Sequence, residues 1–165
     1  MRALWRTARV LLLGLSLASL SLCGASRFHI PPHEQVARVA RFVAHQVDWA
    51  SMATIATHKP VVGQPFSNVF SVSDGPRGSG SGVPYMYLTR MEISVQDLEV
   101  NGTEAEFAKK ALFTRHPEMI DWPSDHNWFF AKFNITQVWV LDYFGGVKTV
   151  TPDEYFQATP YRKHH

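Results

Sequence analysis

Residues 115–146 carry the strongest signal for β-structure in the chain and read RHPEMIDWPSDHNWFFAKFNITQVWVLDYFGG. Within them, Trp128 to Phe144 is a long run of aromatic and β-branched residues, which is typical of two strands or one bent strand. A proline-bracketed loop, Pro117 to Pro123, precedes this run. After it, Gly145-Gly146 makes a turn into a further strand, Val147 to Val150. This part of the chain is therefore predicted to form β-structure.

The segment that begins at His33 has the period of an amphipathic helix. Its apolar residues recur at i, i+3, i+4 and i+7, at Val36, Val39, Ala40, Val43 and Val47. Arg38, Arg41 and His45 lie on the opposite face. We interpret that face as a solvated one, with a basic docking surface as the alternative.

The same periodicities predict the remaining elements. Short strands are expected at Met52 to Thr57, Phe66 to Ser73 and Tyr85 to Val95. Thr103 with Glu106 forms a capping box for a second helix, and Thr151-Pro152-Asp153-Glu154 has the cap, proline and glutamate of a third. The order helix, strands, helix, strands, helix predicts the α+β class, with a mainly antiparallel sheet or barrel.

The first 25 residues have the parts of a secretory signal peptide. Three arginines lead into an apolar run from Val10 to Leu22, and the small residues of Cys23-Gly24-Ala25 allow cleavage after Ala25. The run is short for a membrane span, and a signal anchor is the alternative. We therefore expect a signal peptide at 1–25 and a single domain at 26–165 that ends in a flexible C-terminal tail.

Removal of that segment changes the charge and the thiol content. The whole chain has 165 residues, with 16 Lys and Arg, 14 Asp and Glu, and one cysteine. Residues 26–165 keep 13 basic and 14 acidic residues, a net charge of −1, and no cysteine. This balance argues against binding nucleic acid through many phosphate contacts. The lack of thiols excludes a disulfide scaffold and a multi-cysteine zinc site in that part.

Two sequons make the chain a candidate glycoprotein. Asn101-Gly102-Thr103 and Asn134-Ile135-Thr136 both satisfy the acceptor pattern, with no proline at the middle position. A signal peptide would bring both to the glycosylation machinery. We therefore expect Asn101 and Asn134 to be exposed and glycosylated.

No segment carries a recognised catalytic or metal-binding pattern. The glycine-rich segment from Asp74 to Gly82 lacks the Gly-Lys-Ser/Thr of a P-loop and the third glycine of a dinucleotide fingerprint, so we interpret it as a flexible loop. One cluster could bind a metal or shuttle protons, although hydrogen bonding that fixes a loop is the favoured interpretation: His116, Asp121, Asp125 and His126. We assign no catalytic, cofactor-binding or metal-binding residue.

Aromatic side chains crowd the predicted strands near the C-terminus, at Trp128, Phe129, Phe130, Phe133, Trp139, Tyr143 and Phe144. A flavin or another flat ligand could stack there. We favour a strand core or an aromatic dimer interface instead.

Longer blocks of sequence are more specific than these short motifs. They are ARVARFV at 37–43, SDGP at 73–76, GSGVPY at 80–85, RHPEM at 115–119, WP at 122–123, HNWFFAK at 126–132 and WVLDYFGG at 139–146. Through these blocks, from Gln35 to Tyr155, the chain resembles the CREG family of secreted glycoproteins. The family is named for cellular repressors of adenoviral early-gene-stimulated transcription.

The resemblance implies a fold and an absence of cofactor. The fold is the FMN-binding split barrel, an antiparallel β-barrel with flanking helices that is similar to pyridoxamine-phosphate-oxidase-like proteins. The complete family barrel is expected to be a homodimer. The resemblance also implies that no flavin is held, because the family's version of the pocket is obstructed.

The resemblance further implies a glycoprotein without enzymatic activity, in the extracellular space and the endolysosomal system. By the same resemblance, we expect the protein to restrain proliferation and promote differentiation through receptor or protein binding. Asn101 and Asn134 fall on family glycosylation positions, which are linked to the mannose-6-phosphate/insulin-like-growth-factor-II receptor. No direct nucleic-acid partner and no membrane span are expected. The alternative is a flavin-dependent oxidoreductase of the pyridoxamine-phosphate-oxidase-like class.

The chain departs from the family pattern at one internal junction. Between Glu99 and Val100 the family has roughly forty more residues, which supply barrel strands and a pair of cysteines, and their loss exposes unpaired strand edges. The C-terminal segment, Gln157 to His165, also differs from the family's usual ending. We expect an incomplete barrel that folds poorly or only in part.

Overall fold

Three antiparallel strand pairs and four helices make up the part of the chain that the computed structural model describes, residues 29–98, 105–141 and 146–161. In chain order the elements are α1 (Val36–Gln46), β1 (Trp49–Ile55), β2 (Pro65–Ser71), β3 (Tyr85–Leu88), α2 (Ile93–Gln96), α3 (Ala105–Arg115), β4 (Phe129–Lys132), β5 (Val138–Leu141), β6 (Val147–Val150) and α4 (Pro152–Gln157). Two 3-10 turns, Pro117–Asp121 and Ser124–His126, lie between α3 and β4. The predicted α+β class is confirmed.

Each strand pair is a separate two-stranded sheet. β1 pairs with β2 along its whole length, beginning with Trp49 opposite Ser71. β3 pairs with β4, and β5 pairs with β6. An isolated bridge between Ser73 and Tyr85 links the end of the first sheet to the second. Within the described residues the sheets therefore do not close into a barrel, in agreement with the incomplete barrel expected from the internal junction.

Two clusters of apolar side chains form the interior. The larger one consists of Met52, Val72, Met86, Leu88, Val95 and Ala131. α3 packs against β3 and β4, and its Ala108, Ala111 and Leu112 are fully buried. The smaller cluster joins α1, β6 and α4 through Ala40, Val150 and Tyr155. Tyr155 is important for the site described below, because it carries a polar group into this apolar cluster.

Most elements lie where the sequence predicted them. The aromatic run holds two strands, β4 and β5, and β6 follows at the predicted Val147–Val150. The helix predicted from His33 is present three residues later as α1. α4 begins with the predicted capping box, in which the Thr151 hydroxyl accepts from Glu154 N and the Glu154 carboxylate accepts from Thr151 N. Thr103, which was predicted to cap α3, lies outside the described residues.

The strand predicted from Tyr85 to Val95 is wrong in its second half. β3 ends at Leu88, and Ile93–Gln96 is a single helical turn. The chain changes direction at Thr89, whose hydroxyl donates to the carbonyl oxygen of His126. The helical turn then buries two adjacent side chains, which a strand with alternating faces does not do.

The polar face of α1 departs from the expectation based on its amphipathic pattern. Arg41 and His45, which were predicted to lie on a solvated face, are 5% and 2% exposed. Val43, in the apolar stripe, is 50% exposed. The interpretation of a solvated face is therefore wrong for these two polar residues. Both are buried because each has fixed partners beneath the glycine-rich loop, as a buried polar group requires.

The capping box predicts a stability loss on truncation of its threonine. Thr151→Ala should lower the free energy of unfolding by about 1 kcal/mol, because the amide of Glu154 loses its acceptor at the start of α4. Urea unfolding followed by circular dichroism measures this. Thr149→Ala, at an exposed position in β6, is the matched control. Equal losses for the two variants would show that the cap contributes nothing of its own.

Candidate functional site

A buried histidine–aspartate pair lies beneath the glycine-rich loop, which runs from Asp74 to Gly82. His45 Nδ1 and Asp74 Oδ1 are 2.7 Å apart, and the two side chains are 2% and 0% exposed. His45 Nε2 accepts from the backbone N–H of Gly78 at 3.2 Å. The ring proton is therefore assigned to Nδ1, which donates to Asp74. One imidazole thus holds both the carboxylate and the loop.

Asp74 fixes the other end of the same loop. Its Oδ2 accepts from Gly82 N at 3.1 Å, and its carbonyl oxygen accepts from Ser81 N at 2.8 Å. Since Gly78 is held by His45, the loop is bonded both at its middle and at its end. The flexible loop that composition predicted is therefore not what the structure shows.

Arg41 reaches the loop from α1 and donates to backbone carbonyl oxygens. Its guanidinium donates to Gly80 O at 3.1 Å and to the carbonyl oxygens of Tyr155 and Phe156, both at 3.4 Å. These two carbonyls belong to the last turn of α4, where backbone acceptors lack helical partners and carry partial negative charge. The Arg41 guanidinium also lies 5.3 Å from the centre of the Tyr155 ring. Arg41 therefore joins α1, the loop and α4.

Two glycines allow the loop to approach these side chains. A Cβ on Gly80 would overlap Asp74 Oδ2 and His45 Nδ1. A Cβ on Gly82 would lie 2.6 Å from Arg41 Cζ, and Gly82 also has a positive φ of 86°. Glycine is needed here because the backbone packs directly on buried polar groups. The sequence signal was the alternation of glycines in this segment, which we attributed to flexibility.

Arg115 connects the buried pair to a second carboxylate. It lies 3.5 Å from Asp74 Oδ1 and 2.7 Å from Asp48 Oδ1, and Asp48 also pairs with Arg77 at 2.7 Å. Burial acts to raise the pKa of Asp48, but the hydrogen bond and charge of Arg115, together with Arg77, hold it below its usual value. This network ties α3 to the end of α1. We call Arg41, His45, Asp74, Arg115 and Tyr155 the loop cluster.

Tyr155 completes the loop cluster from α4. It is 3% exposed, and its hydroxyl donates to the carbonyl oxygen of Gly82 at 2.7 Å. Burial raises the pKa of Tyr155 to about 12, although the nearby charge of Arg41 acts in the opposite direction. The phenol is therefore neutral at physiological pH and serves as a hydrogen-bond donor.

The loop cluster acts as a brace for the backbone. The hydrogen bonds of its histidine, carboxylate and phenol go to one another, to the loop, or to the hydroxyl of Tyr161, which lies 3.4 Å from His45 Nε2. A general base or nucleophile needs a free position facing a substrate. These side chains instead hold α1, the loop, α3 and α4 together.

The histidine cluster predicted near the two 3-10 turns does not converge on one point. His116 is buried, and its Nε2 bonds to the carbonyl oxygen of Val72 at 3.2 Å. Asp121 and Asp125 are exposed. Within the described ranges, no group of three His, Cys, Asp or Glu side chains is arranged to hold a metal. The favoured interpretation, a histidine that fixes local structure by hydrogen bonding, is confirmed for His116.

The aromatic residues separate into two regions. Tyr87 stacks on Trp122, Trp128 and Phe130, with ring centroids 6.0, 5.2 and 4.7 Å apart. The faces of these rings therefore pack against one another. Trp139, by contrast, belongs to the β5–β6 sheet and is 62% exposed. Tyr143 and Phe144 lie outside the described residues.

The cavity beside the stacked aromatic rings does not fit a flavin mononucleotide, which the fold family implies. The cavity beside Tyr87 and Trp128 has a volume of about 310 Å³, and its one charged lining residue is the acidic Glu92. The phosphate of a flavin nucleotide needs cationic or amide donors. An acidic lining repels it instead.

A second depression lies between α1 and β5, and we call it the β5 groove. Its volume is about 730 Å³. One side is lined by Val39, Val43 and Val47 of α1, and the other by all of β5. No Asp, Glu, Lys, Arg or His is among its described lining residues. The groove is therefore uncharged and lacks a cationic partner for a phosphate.

The predicted glycosylation sites have different outcomes. Asn134 is exposed in the loop between β4 and β5, and Thr136 of the same sequon is exposed too. The expected exposure of Asn134 is therefore confirmed. Asn101 lies outside the described residues. The structure brings Asn134 to the rim of the β5 groove.

Comparison with known proteins identifies the family. The family model described as "CREG, beta-barrel" matches residues 31–104 and 98–157. The chain belongs to the CREG family. It is 48% identical to Protein CREG1 of Gallus gallus, over 87% of this chain and 97% of that protein. It is 47% identical to Protein CREG1 of Homo sapiens, over 79% and 77%, and 32% identical to human Protein CREG2, over 83% and 61%.

Solved structures show the same fold at low sequence identity. A heme binding protein from Mycobacterium smegmatis has a TM-score of 0.60 and 15% identity, over 74% of this chain and 60% of that one. The protein Atu2129 of Agrobacterium tumefaciens, of unknown function, has a TM-score of 0.53 and 17% identity, over 79% and 64%. These likenesses support the split-barrel-like fold. Among the described residues, no helix is both long and apolar enough to cross a membrane.

The comparisons also locate an internal gap in this CREG chain. The two matched parts of the family model meet at residues 98–104. The alignment with the Gallus gallus protein has 186 positions but takes up 87% of a 165-residue chain, so about forty positions have no residue here. Both findings agree with the missing segment expected between Glu99 and Val100.

The contact between the loop and the buried pair predicts a difference between two glycines. Gly80→Ala should lower the free energy of unfolding by about 3 kcal/mol, because the methyl group must separate His45 from Asp74. Gly78→Ala, in the same loop, has open space at its Cβ and should cost about 1 kcal/mol, from its positive φ. Chemical unfolding of both variants measures this, and similar losses would contradict the close packing.

Tyr155 predicts a component of alkaline unfolding. Its pKa is raised to about 12, so the unfolded chain ionises this phenol first, and the stability it contributes is complete below about pH 10 and is lost toward pH 12. Tyr155→Phe should cost about 1 kcal/mol at neutral pH, since the Gly82 carbonyl loses its donor. The free energies of the two proteins should then converge above pH 10. Curves that stay parallel from pH 8 to 12 would contradict the assignment.

Proposed function

We propose that this CREG protein is a secreted and endolysosomal glycoprotein without enzymatic activity, which restrains proliferation and promotes differentiation by binding receptors or other proteins. The exposed Asn134 carries the proposal, because an acceptor for a glycan must be accessible on the surface. Membership of the CREG family supports it.

The proposal includes the processing of the chain. Residues 1–25 act as a signal peptide, and residues 26–165 form the single domain that is secreted. The cleaved chain carries a net charge of −1, which disfavours direct contact with nucleic acid. Growth control is therefore indirect in this proposal and begins outside the nucleus.

The interior supports a binding role over an enzymatic one. The loop cluster uses its titratable groups on its own backbone, and neither the cavity beside Tyr87 nor the β5 groove has a cationic lining residue for a flavin phosphate. A flavin-dependent oxidoreductase would need such a site. We therefore propose that recognition takes place on the surface and through the glycans.

The proposed partner is the mannose-6-phosphate/insulin-like-growth-factor-II receptor. It would recognise phosphorylated glycans on Asn101 and Asn134. Asn134 supports this, because its loop joins two strands and presents the side chain to solvent. A glycan there would extend away from the loop cluster and leave that brace intact.

Glycan removal at one sequon tests the proposal with a matched pair of variants. In mammalian cells, Thr136→Ala should remove one glycan and increase the electrophoretic mobility of the secreted protein. Thr136→Ser keeps an acceptor sequon at the same exposed residue and should migrate as the wild type. Peptide N-glycosidase should then bring all three proteins to one mobility.

Receptor binding and location complete this test. Immobilised receptor should retain the wild-type glycoprotein, and free mannose 6-phosphate should release it. Asn101→Gln combined with Asn134→Gln should abolish retention while the protein stays folded by circular dichroism. An unglycosylated nuclear pool, or purified protein with flavin absorbance, would contradict the proposal.

A further inference from the structure

The cavity beside Tyr87 and Trp128 combines aromatic side chains with a carboxylate. Its volume is about 310 Å³, near the lower end of the range for small-ligand sites, which is roughly 300–1,000 Å³. Three of the five tryptophans in the chain line it, Trp49, Trp122 and Trp128. Its wall also includes Glu92, and no Lys, Arg or His is among its described lining residues. We call it the tryptophan cavity.

Glu92 is held by a hydrogen bond but forms no ion pair among the described residues. Its Oε1 accepts from Asn68 Nδ2 at 2.8 Å, and both residues line the cavity. The nearest cationic residue along the chain, Arg90, lies 5.8 Å from the centre of the Phe129 ring instead. A half-buried carboxylate without a counter-ion is unfavourable, because partial burial removes water that would stabilise its charge. A positively charged ligand would supply the missing partner.

The aromatic walls come from two parts of the fold. Tyr87 of β3 stacks on Trp128, and the ring centroids of Trp122 and Trp128 are 4.6 Å apart. On β1, Trp49 makes a T-shaped contact with His116 and is 57% exposed, so more than half of its surface is open to a ligand. An indole attracts a cation more strongly than any other aromatic side chain. The cavity therefore offers an open indole beside a stack of rings.

These features select one class of cation. A divalent metal ion needs several oxygen ligands, whereas Glu92 is the one carboxylate among the described lining residues. A primary amine needs hydrogen-bond acceptors, but the Thr89 hydroxyl already donates to the His126 carbonyl oxygen and accepts from Met91 N. A quaternary ammonium group has no N–H to satisfy and presents methyl groups around its charge. It needs an aromatic surface and a carboxylate, and the cavity has both.

We propose that the tryptophan cavity binds a small quaternary ammonium compound. The positive charge lies beside Glu92, and the methyl groups pack against the indole of Trp49. The stacked rings of Tyr87 and Trp128 form the rest of the aromatic wall. Binding involves no covalent step, and this inference does not depend on glycosylation or on receptor binding.

Calorimetric titration of the full purified chain with choline tests the proposal. One choline should bind per chain and should change the tryptophan fluorescence, because three tryptophans line the cavity. The control ligand is the neutral isostere of choline, in which a tert-butyl group replaces the trimethylammonium group. It has the same shape without the charge and should bind at least about tenfold more weakly. Equal affinity for the two ligands, or no saturable binding up to about 10 mM choline, would overturn the proposal.

Two matched pairs of variants locate the binding site. Glu92→Gln keeps an acceptor for Asn68 but removes the charge, and it should weaken choline binding about tenfold. Glu106→Gln, at an exposed position of α3, makes the same charge change outside the cavity and should bind as the wild type. Trp49→Leu should also weaken binding about tenfold, whereas Trp139→Leu, at a position 62% exposed in β5, should not.

Circular dichroism and thermal unfolding establish that the four variants are folded. If Glu92→Gln and Trp49→Leu are folded and bind choline as tightly as their controls, the cation is held elsewhere and the proposal is wrong.

Vesicles of phosphatidylcholine identify the source of the ammonium group. Retention of the chain on vesicles, with release by free choline, would assign the site to a lipid headgroup. Choline binding without vesicle retention would assign it to a soluble compound. Both results support a quaternary ammonium site. Vesicle retention that choline does not release, in a chain that shows no choline binding by calorimetry, would overturn it.

Discussion

The buried pair of His45 and Asp74 is the interaction on which the arrangement of this CREG chain depends. Two polar side chains that are almost completely buried are tolerated only when their hydrogen-bonding groups are satisfied. The glycine-rich loop meets this requirement with the amides of Gly78 and Gly82. The loop must therefore follow the pair closely, and a side chain at Gly80 would separate the two residues. The pair, the loop and the glycines form one unit.

This unit determines how α1 is oriented. His45 and Arg41 belong to α1, so satisfying them turns the polar side of the helix inward. The guanidinium of Arg41 then donates to carbonyl groups at the end of α4, and Arg115 brings α3 to the same place. Because a helix has one polar and one apolar side here, the valine stripe must face the other way. The β5 groove is the geometric consequence.

The sequence predicted the elements better than it predicted their orientation. Local patterns were sufficient for β5, β6 and the capping box of α4, because each depends on residues within a few positions. The exposure of Asn134 was also predictable from its sequon. The loop cluster was not predictable from local patterns. His45 and Asp74 are 29 positions apart in the sequence, and Arg41 contacts residues of α4 that lie more than a hundred positions away. The alternation of apolar and polar residues also gave a wrong strand prediction at Ile93–Gln96. The chain turns before this segment, at Thr89, whose hydroxyl donates to the carbonyl oxygen of His126.

The loop cluster also connects the two sides of the internal junction. Its five members all lie in described parts of the chain, on both sides of the internal junction. Their hydrogen bonds and ion pairs among the described residues join α1, the loop, α3 and α4. The β5 groove is different, because Val43 of its lining is 50% exposed although Val138 and Val140 pack against the smaller apolar cluster. The loop cluster therefore accounts for the buried polar contacts of α1, and the β5 groove for the exposure of Val43.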